Sequence, residues 1–205
     1  TLAAGDTVAF VCDQSYHNIR QIDVSSRTVT RLVGSTSYGW VDGVGTNARF
    51  YSPQGIASTS DGSTLFVTDY STHVVRKVVV ATRVVTTLAG WGSSSGSEDG
   101  VGLAARFSNP YGIAVTPDGA SVYVSEMVDR IRKIDVATRQ VTTVAGVYND
   151  ALSCSGSNCP DGVGTNARFN NPYGLALGRG ETLLYVADSA SRRIRQIELS
   201  SRTVT

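Results

Sequence analysis

Gly112-Ile113-Ala114-Val115, Pro117-Asp118-Gly119, Val122-Tyr123-Val124-Ser125, Ile131 to Val136 and Gln140 to Ala145 decide the fold. Read in order, they are an apolar run, a turn and three further runs with the two-residue alternation of half-buried strands. Proline presets one φ of the turn and glycine accepts a positive one. No helical period competes. About 25 residues rich in Gly, Ser and Asp then lead to the next apolar run.

The unit recurs on both sides. Arg27-Thr28-Val29-Thr30, Arg83-Val84-Val85-Thr86, Arg139-Gln140-Val141-Thr142 and Arg202-Thr203-Val204-Thr205 stand 56, 56 and 63 residues apart. The Asp-Gly-Val-Gly runs starting at Asp42, Asp99 and Asp161 are spaced 57 and 62. Ile19-Arg20-Gln21-Ile22, Val75-Arg76-Lys77-Val78, Ile131-Arg132-Lys133-Ile134 and Ile194-Arg195-Gln196-Ile197 keep the same period. The extra residues of the last copy sit around Cys154 and Cys159. Four short strands repeated at this period predict blades of a β-propeller, an all-β fold; a sandwich does not repeat one four-strand unit together with its loops.

Asn109-Pro110-Tyr111-Gly112-Ile113-Ala114-Val115, Asp118-Gly119, Val122-Tyr123-Val124 and Arg130-Ile131-Arg132-Lys133-Ile134-Asp135 together resemble an NHL repeat. The pattern returns from Ser52-Pro53-Gln54-Gly55 and from Asn171-Pro172-Tyr173-Gly174. The Asp-Gly-x-Gly loop is similar to that of the long-loop variant. The resemblance covers essentially the whole chain and implies a β-propeller, commonly of six blades. The 205 residues hold about 3.7 repeats of 56, and both ends fall inside a repeat. The expectation is one propeller segment over 1–205, with blades near 1–30 (partial), 31–86, 87–142 and 143–205, belonging to a longer chain or completed by partners. A blade at either end would then expose an apolar face and associate with neighbouring chain or with other copies.

Composition narrows the function. Eighteen basic side chains against 17 acidic ones leave a net charge near +1, too even for a nucleic-acid surface. No apolar run approaches a transmembrane length, so membrane insertion is not expected. His17 and His73 are the two histidines, so a three-His zinc site is excluded within this segment, and no nucleophile elbow or phosphate loop occurs. No catalytic residue, metal or cofactor is expected. Asp-Gly-Val-Gly carries one carboxylate per copy, too few for calcium, and reads as a turn whose Asp bonds local backbone amides. The Ala-Arg-Phe triplets ending at Phe50, Phe107 and Phe169 read as loop anchors.

Strand alternation puts the turns between second and third strands on one face of the disc with the long loops. Tyr16, His17, Tyr38, Trp40, Tyr70, His73, Trp91 and Tyr148 collect there. They either stack on a sugar or a peptide, or pack the long loops onto the blades. Each second strand ends in an acid (Asp13, Asp69, Glu126, Asp188), followed by Arg20, Arg76, Arg132 or Arg195 on an apolar face. An unpaired buried charge costs several kcal/mol, so each Arg is expected to pair with its acid across the hairpin. Cys154 and Cys159 enclose Ser-Gly-Ser-Asn and read as a disulfide clasping the inserted loop, which implies an oxidising compartment. Cys12 stands where Thr68, Ser125 and Ala187 stand in the other copies and reads as a small buried residue. These features point to a non-enzymatic interaction scaffold for a protein or glycan, extracellular or at the cell surface. The alternatives are a structural subunit of an extracellular assembly and a propeller enzyme whose site lies in other blades.

Overall fold

The computed structural model describes Thr1 and residues 7–92, 94–148, 154 and 159–205. Four antiparallel sheets follow one another along the chain. The first holds β1 (Val8–Asp13), β2 (Asn18–Asp23) and β3 (Thr28–Gly34), in that order. The second holds β4 (Gly43–Val44), β5 (Pro53–Ser58), β6 (Thr64–Asp69), β7 (Val74–Val79) and β8 (Val84–Ala89), ordered β4-β8-β7-β6-β5. The third repeats that order with β9 (Gly100–Val101), β10 (Pro110–Val115), β11 (Ser121–Glu126), β12 (Arg130–Asp135) and β13 (Gln140–Gly146). The fourth does so with β14 (Gly162–Val163), β15 (Pro172–Leu177), β16 (Leu183–Asp188), β17 (Arg193–Glu198) and β18 (Thr203–Val204). These are propeller blades, and the inner strands β5, β10 and β15 lie side by side. Thr1 takes the inner-strand place of blade 1: its nitrogen donates to the Phe10 carbonyl at 3.0 Å and its carbonyl accepts from the Phe10 N–H at 2.8 Å.

Two details differ from the sequence reading. The repeat divisions at 30, 86 and 142 fall inside the outer strands β3, β8 and β13, whereas the sheets are separated by the loops at 35–42, 90–99 and 147–161. The Asp-Gly-Val-Gly run is more than a turn. Its Gly-Val pair is a short fifth strand on the outer edge of the blade, with Gly43 opposite Val85 and Val44 opposite Val84. Its second glycine, Gly45, Gly102 or Gly164, has φ of 58°, 54° or 56°. That backbone N–H donates at 2.9 Å to the carbonyl of Arg83, Arg139 or Arg202 in the turn before the outer strand. Two sequence markers whose bonded residues stand 37 or 38 positions apart thus meet in one hydrogen bond.

The core is a series of joints between blades. Strand alternation gives each blade two apolar faces. Ala57, Phe66, Val75 and Ala89 of blade 2 pack on Ile113, Val122, Val124, Ile134 and Val141 of blade 3. Ala114, Tyr123, Ile131 and Ala145 of blade 3 meet Leu184, Val186, Ile197 and Val204 of blade 4 in the same way. Phe10, Ile19 and Val33 of blade 1 meet Leu65, Val67, Val78 and Val85. Polar bonds reinforce the joints. The Thr68 hydroxyl donates to the Tyr111 carbonyl, and Ser125 to that of Tyr173, both at 2.6 Å. Inner strands approach so closely that a Cβ on Gly112 would collide with the Tyr173 carbonyl oxygen. In blade 1, Cys12 holds the position of Thr68 and Ser125. As a residue it is partly exposed, yet its thiol faces the joint 3.8 Å from the Gly55 carbonyl, and burial pushes its pKa up.

Candidate functional site

Each of blades 2 to 4 contains one buried cationic knot. In blade 2, Arg76 is fully buried and its Nη1 lies 3.3 Å from Asp69 Oδ2. Its Nη2 lies 2.8 Å from Asp42 Oδ1, and the two nitrogens also donate to the carbonyls of Arg49 and Val41, both at 2.9 Å. The guanidinium sits 4.9 Å from the centre of the Phe50 ring. Blade 3 repeats this with Arg132, Glu126 (3.1 Å), Asp99 (2.7 Å) and Phe107. Blade 4 repeats it with Arg195, Asp188 (3.5 Å), Asp161 (2.6 Å) and Phe169. The inner acid also accepts a backbone N–H of the incoming loop: Tyr51 to Asp69, Ser108 to Glu126 and Asn170 to Asp188, at 2.6–2.7 Å. Burial pushes the Asp69 carboxyl up to about 7 against the pull of Arg76, and raises Glu126 as well. In blade 1, Arg20 pairs with Asp13 at 3.4 Å but remains 43% exposed.

The second carboxylate of each knot corrects the reading of the Asp-Gly-Val-Gly aspartate. Asp42 does not bond amides of its own turn. It bonds Arg76 and both the N–H and the hydroxyl of Thr87, 45 residues onward. Asp99 does the same with Arg132 and Thr143. The Ala-Arg-Phe triplets lay an alanine and a phenylalanine in the core, with Ala48, Phe50, Ala105, Phe107, Ala167 and Phe169 all fully buried. These knots lock each long loop to the blade that follows it.

The aromatic residues of the long-loop face form several separate groups. His17 and His73 lie at left-handed positions, with φ of 54° and 59°. Their Nδ1 atoms accept the backbone N–H of Ser52 at 3.3 Å and of Asn109 at 3.1 Å, at the entry to the next blade's inner strand. Asp129 does the same for Asn171 at 2.8 Å. Burial holds His73 below the usual histidine range, in keeping with a neutral acceptor. Tyr38 is 62% exposed and packs 4.6 Å from Tyr51, with His17 edge-on to both rings. Trp40 and Trp91 meet edge-to-face at 5.5 Å, and Trp40 Nε1 donates to the Thr87 hydroxyl at 2.8 Å. Trp40, Val41, Leu103 and Arg139 line an open groove of about 570 Å³ between blades 2 and 3. Tyr70 stands edge-on to Tyr111, which stacks on Tyr173 at 4.4 Å with the rings 11° apart. Tyr148 lies 4.9 Å from the Arg130 guanidinium, and Tyr16 is exposed. Tyr51, Tyr111 and Tyr173 join these groups beyond the residues the sequence reading named; the recurring Asn-Pro-Tyr-Gly motif is the available signal for Tyr111 and Tyr173, and Tyr51 lies outside it.

Cys154 and Cys159 form a disulfide, and Cys12 is free. The residues they enclose lie outside the described ones. Among the described residues no cluster of three potential metal ligands occurs, and no helix is long and apolar enough to cross a membrane.

Known proteins resemble this chain in sequence or in fold. NHL repeat-containing protein 2 of Bos taurus is 34% identical over 167 residues, 77% of this chain, and that of Homo sapiens 30% over the same length. The chain spans 22% of the length of these relatives. Among solved structures, a Bacteroides thetaiotaomicron protein of unknown function superposes with a TM-score of 0.71 at 23% identity, over 95% of this chain and 46% of that one. A chain of the nidogen/laminin complex gives 0.56 at 17% identity, over 98% and 76%. Both likenesses concern the fold. Since residues 29–201 match the family model of the Teneurin NHL domain, the chain belongs to the NHL-repeat β-propeller family.

Proposed function

We propose that the chain is a non-enzymatic interaction scaffold whose long-loop face binds a protein or a glycan, in an extracellular or cell-surface setting. One observation carries the reading. The buried acids, their arginines and both histidines are committed to holding loops and blades, while Tyr38, Trp91 and the Trp40 groove stay accessible on a rigid support. Aromatic faces on fixed loops suit sugar rings and peptide side chains. The disulfide supports an oxidising compartment. Screening the protein against a glycan array and a peptide array, alongside Tyr38→Ala and Trp91→Ala, tests the reading. Retained signals lost in either variant support it, whereas signals indifferent to both variants overturn it.

A second contact, self-association, is supported by the two end faces. Ile194 of blade 4 is 73% exposed, whereas the equivalent Ile19, Val75 and Ile131 are fully buried against the next blade. On blade 1, Val11 and Val29 are exposed where Val67, Val85, Val124, Val141, Val186 and Val204 are buried against the preceding blade. These faces are the two halves of the joint that recurs within the chain. Light scattering on the protein, Ile194→Glu and Val29→Glu tests this: assembly that either charge abolishes supports it, and a monomeric parent refutes it.

A further inference from the structure

Blades 2 and 3 each carry a lysine at the same register position, and Lys77 and Lys133 are the two lysines of these 205 residues. Lys77 stands between Phe66 on β6 and Thr86 on β8, and Lys133 between Tyr123 on β11 and Thr142 on β13. Each is half-buried and lines a pocket at the joint with the following blade. Neither makes an ion pair or a hydrogen bond among the described residues, whereas Arg76, Arg132 and Arg195 each take two carboxylates.

The two pockets differ in charge. That of Lys77 is also lined by Asp61 and Asp118, which hydroxyl and amide donors of their own turns hold ionised. Gly180 stands in blade 4 where Asp118 stands in blade 3, and no carboxylate lines the pocket of Lys133. Arg202 lines it instead. Its counterpart Arg139 lies across Gly102 and donates from Nε to the Leu88 carbonyl at 2.8 Å. Arg202 does not lie over Gly164, and its exposed guanidinium bonds nothing among the described residues. The Thr142 hydroxyl, beside Lys133, is likewise unbonded. Carboxylates near the pocket are turned elsewhere: Asp99 to Thr143 and Arg132, Asp135 to the N–H and hydroxyl of Thr138, and Glu181 to the side of Tyr123 away from the lining. Two like charges on one enclosed pocket of about 220 Å³ repel, and an anion between them turns that repulsion into two charge-assisted contacts.

We propose that this pocket between blades 3 and 4 binds the tetrahedral oxyanion of a sulfate or phosphate ester. Lys133 supplies a point charge, Arg202 a planar fork of donors and Thr142 a hydroxyl. Donors from β12, β13 and the turn of blade 4 suit a group with three free oxygens, which a planar carboxylate does not offer. Tyr123, whose ring centre lies 6.0 Å from Lys133 Nζ, and Leu199 form the apolar wall, on which the carbon bearing the ester rests. The site goes beyond the aromatic-face reading, because none of Tyr38, Trp40 and Trp91 lines it.

Two lysines in equivalent places make the test internal to one molecule. The 205-residue protein is acetylated with an amine-reactive ester in graded sulfate or phosphate, sodium chloride holding the ionic strength constant, and peptide mass spectrometry reads Lys133 and Lys77 separately. Acetylation of Lys133 should slow at least about fivefold at saturation, with a midpoint near about 1 mM, while Lys77 keeps its rate. Arg202→Gln should remove the protection and leave the rate at Lys77 unchanged, which reports an intact fold. Glucose 6-sulfate and glucose 6-phosphate then replace the free ions, and the stronger protector identifies the ester. Equal slowing of both lysines, protection that survives Arg202→Gln, or none from either ester by about 10 mM overturns the proposal. Trp91→Ala should leave the protection in place, which separates failure here from failure of the aromatic face.

Discussion

Replacing Arg76 by methionine tests the central energetic argument. The side chain keeps an unbranched apolar stem and loses its charged head. Asp69, fully buried, then faces no cation, and the carbonyls of Val41 and Arg49 lose their donors. Removing one partner of a buried pair costs about 3–5 kcal/mol. Asp69 can escape part of this by taking up a proton, because burial has already pushed its carboxyl up to about 7. Near neutral pH the net loss should be about 3 kcal/mol. The pH dependence has a definite sign. A folded-state value above the unfolded 3.8 means the native protein holds that proton more tightly, so the contribution is fully present below 3.8 and is lost as pH rises through about 7. The cost of Arg76→Met should therefore shrink toward about pH 5, where Asp69 is neutral in either protein. Urea unfolding at both pH values, read by tryptophan fluorescence beside the 41–50 loop, measures it. Arg20→Met, at a half-exposed pair, should cost no more than about 1 kcal/mol, and Asp69→Asn combined with Arg76→Met should cost clearly less than the sum of the two. A loss below about 1 kcal/mol at neutral pH, or one that grows in acid, would refute the reasoning.

Gly112→Ala should strongly destabilise the joint between blades 3 and 4, because its Cβ meets the Tyr173 carbonyl oxygen, while Gly174→Ala, with only Ala187 nearby at 3.8 Å, should be nearly silent in thermal melts. Ser125→Ala removes the bonds to the Tyr173 carbonyl and the Gly112 N–H and should cost about 1–2 kcal/mol in urea unfolding. Reducing Cys154–Cys159, five positions apart, should cost about 2 kcal/mol. Intact mass after alkylation should show one modified cysteine in the unfolded, unreduced protein and three after reduction, with Cys12 protected while folded.

What could be read from the residues was what is local or repeated. Asp69 and Arg76 are seven positions apart on one hairpin, so strand alternation alone places them on one face. Asp42 reaches the same guanidinium from 34 residues upstream, across a long loop with no periodicity, and no alternation rule points there. Asp-Gly-Val-Gly looked like a turn because two paired residues are too short a run to register as a strand. His17 and His73 looked available for ligands because their acceptors' role depends on an amide of the neighbouring blade. The repeat announced that blades would touch; which atoms close the joint depended on how near the inner strands come at Gly55 and Gly112.

The placement of the two tryptophans has a consequence for how unfolding will look. Trp40 and Trp91 touch one another at the joint of blades 2 and 3, so intrinsic fluorescence reports on the middle of the arc alone. In an array whose blades are held by nearest neighbours, the outermost units open first and at lower cost. Blade 1 has one covered face, as does blade 4, and neither contains an indole. For these 205 residues on their own, circular dichroism should accordingly begin to fall before the fluorescence moves, and two curves that separate in this way describe fraying toward the central blades, whose opening is the transition that the indoles report in urea.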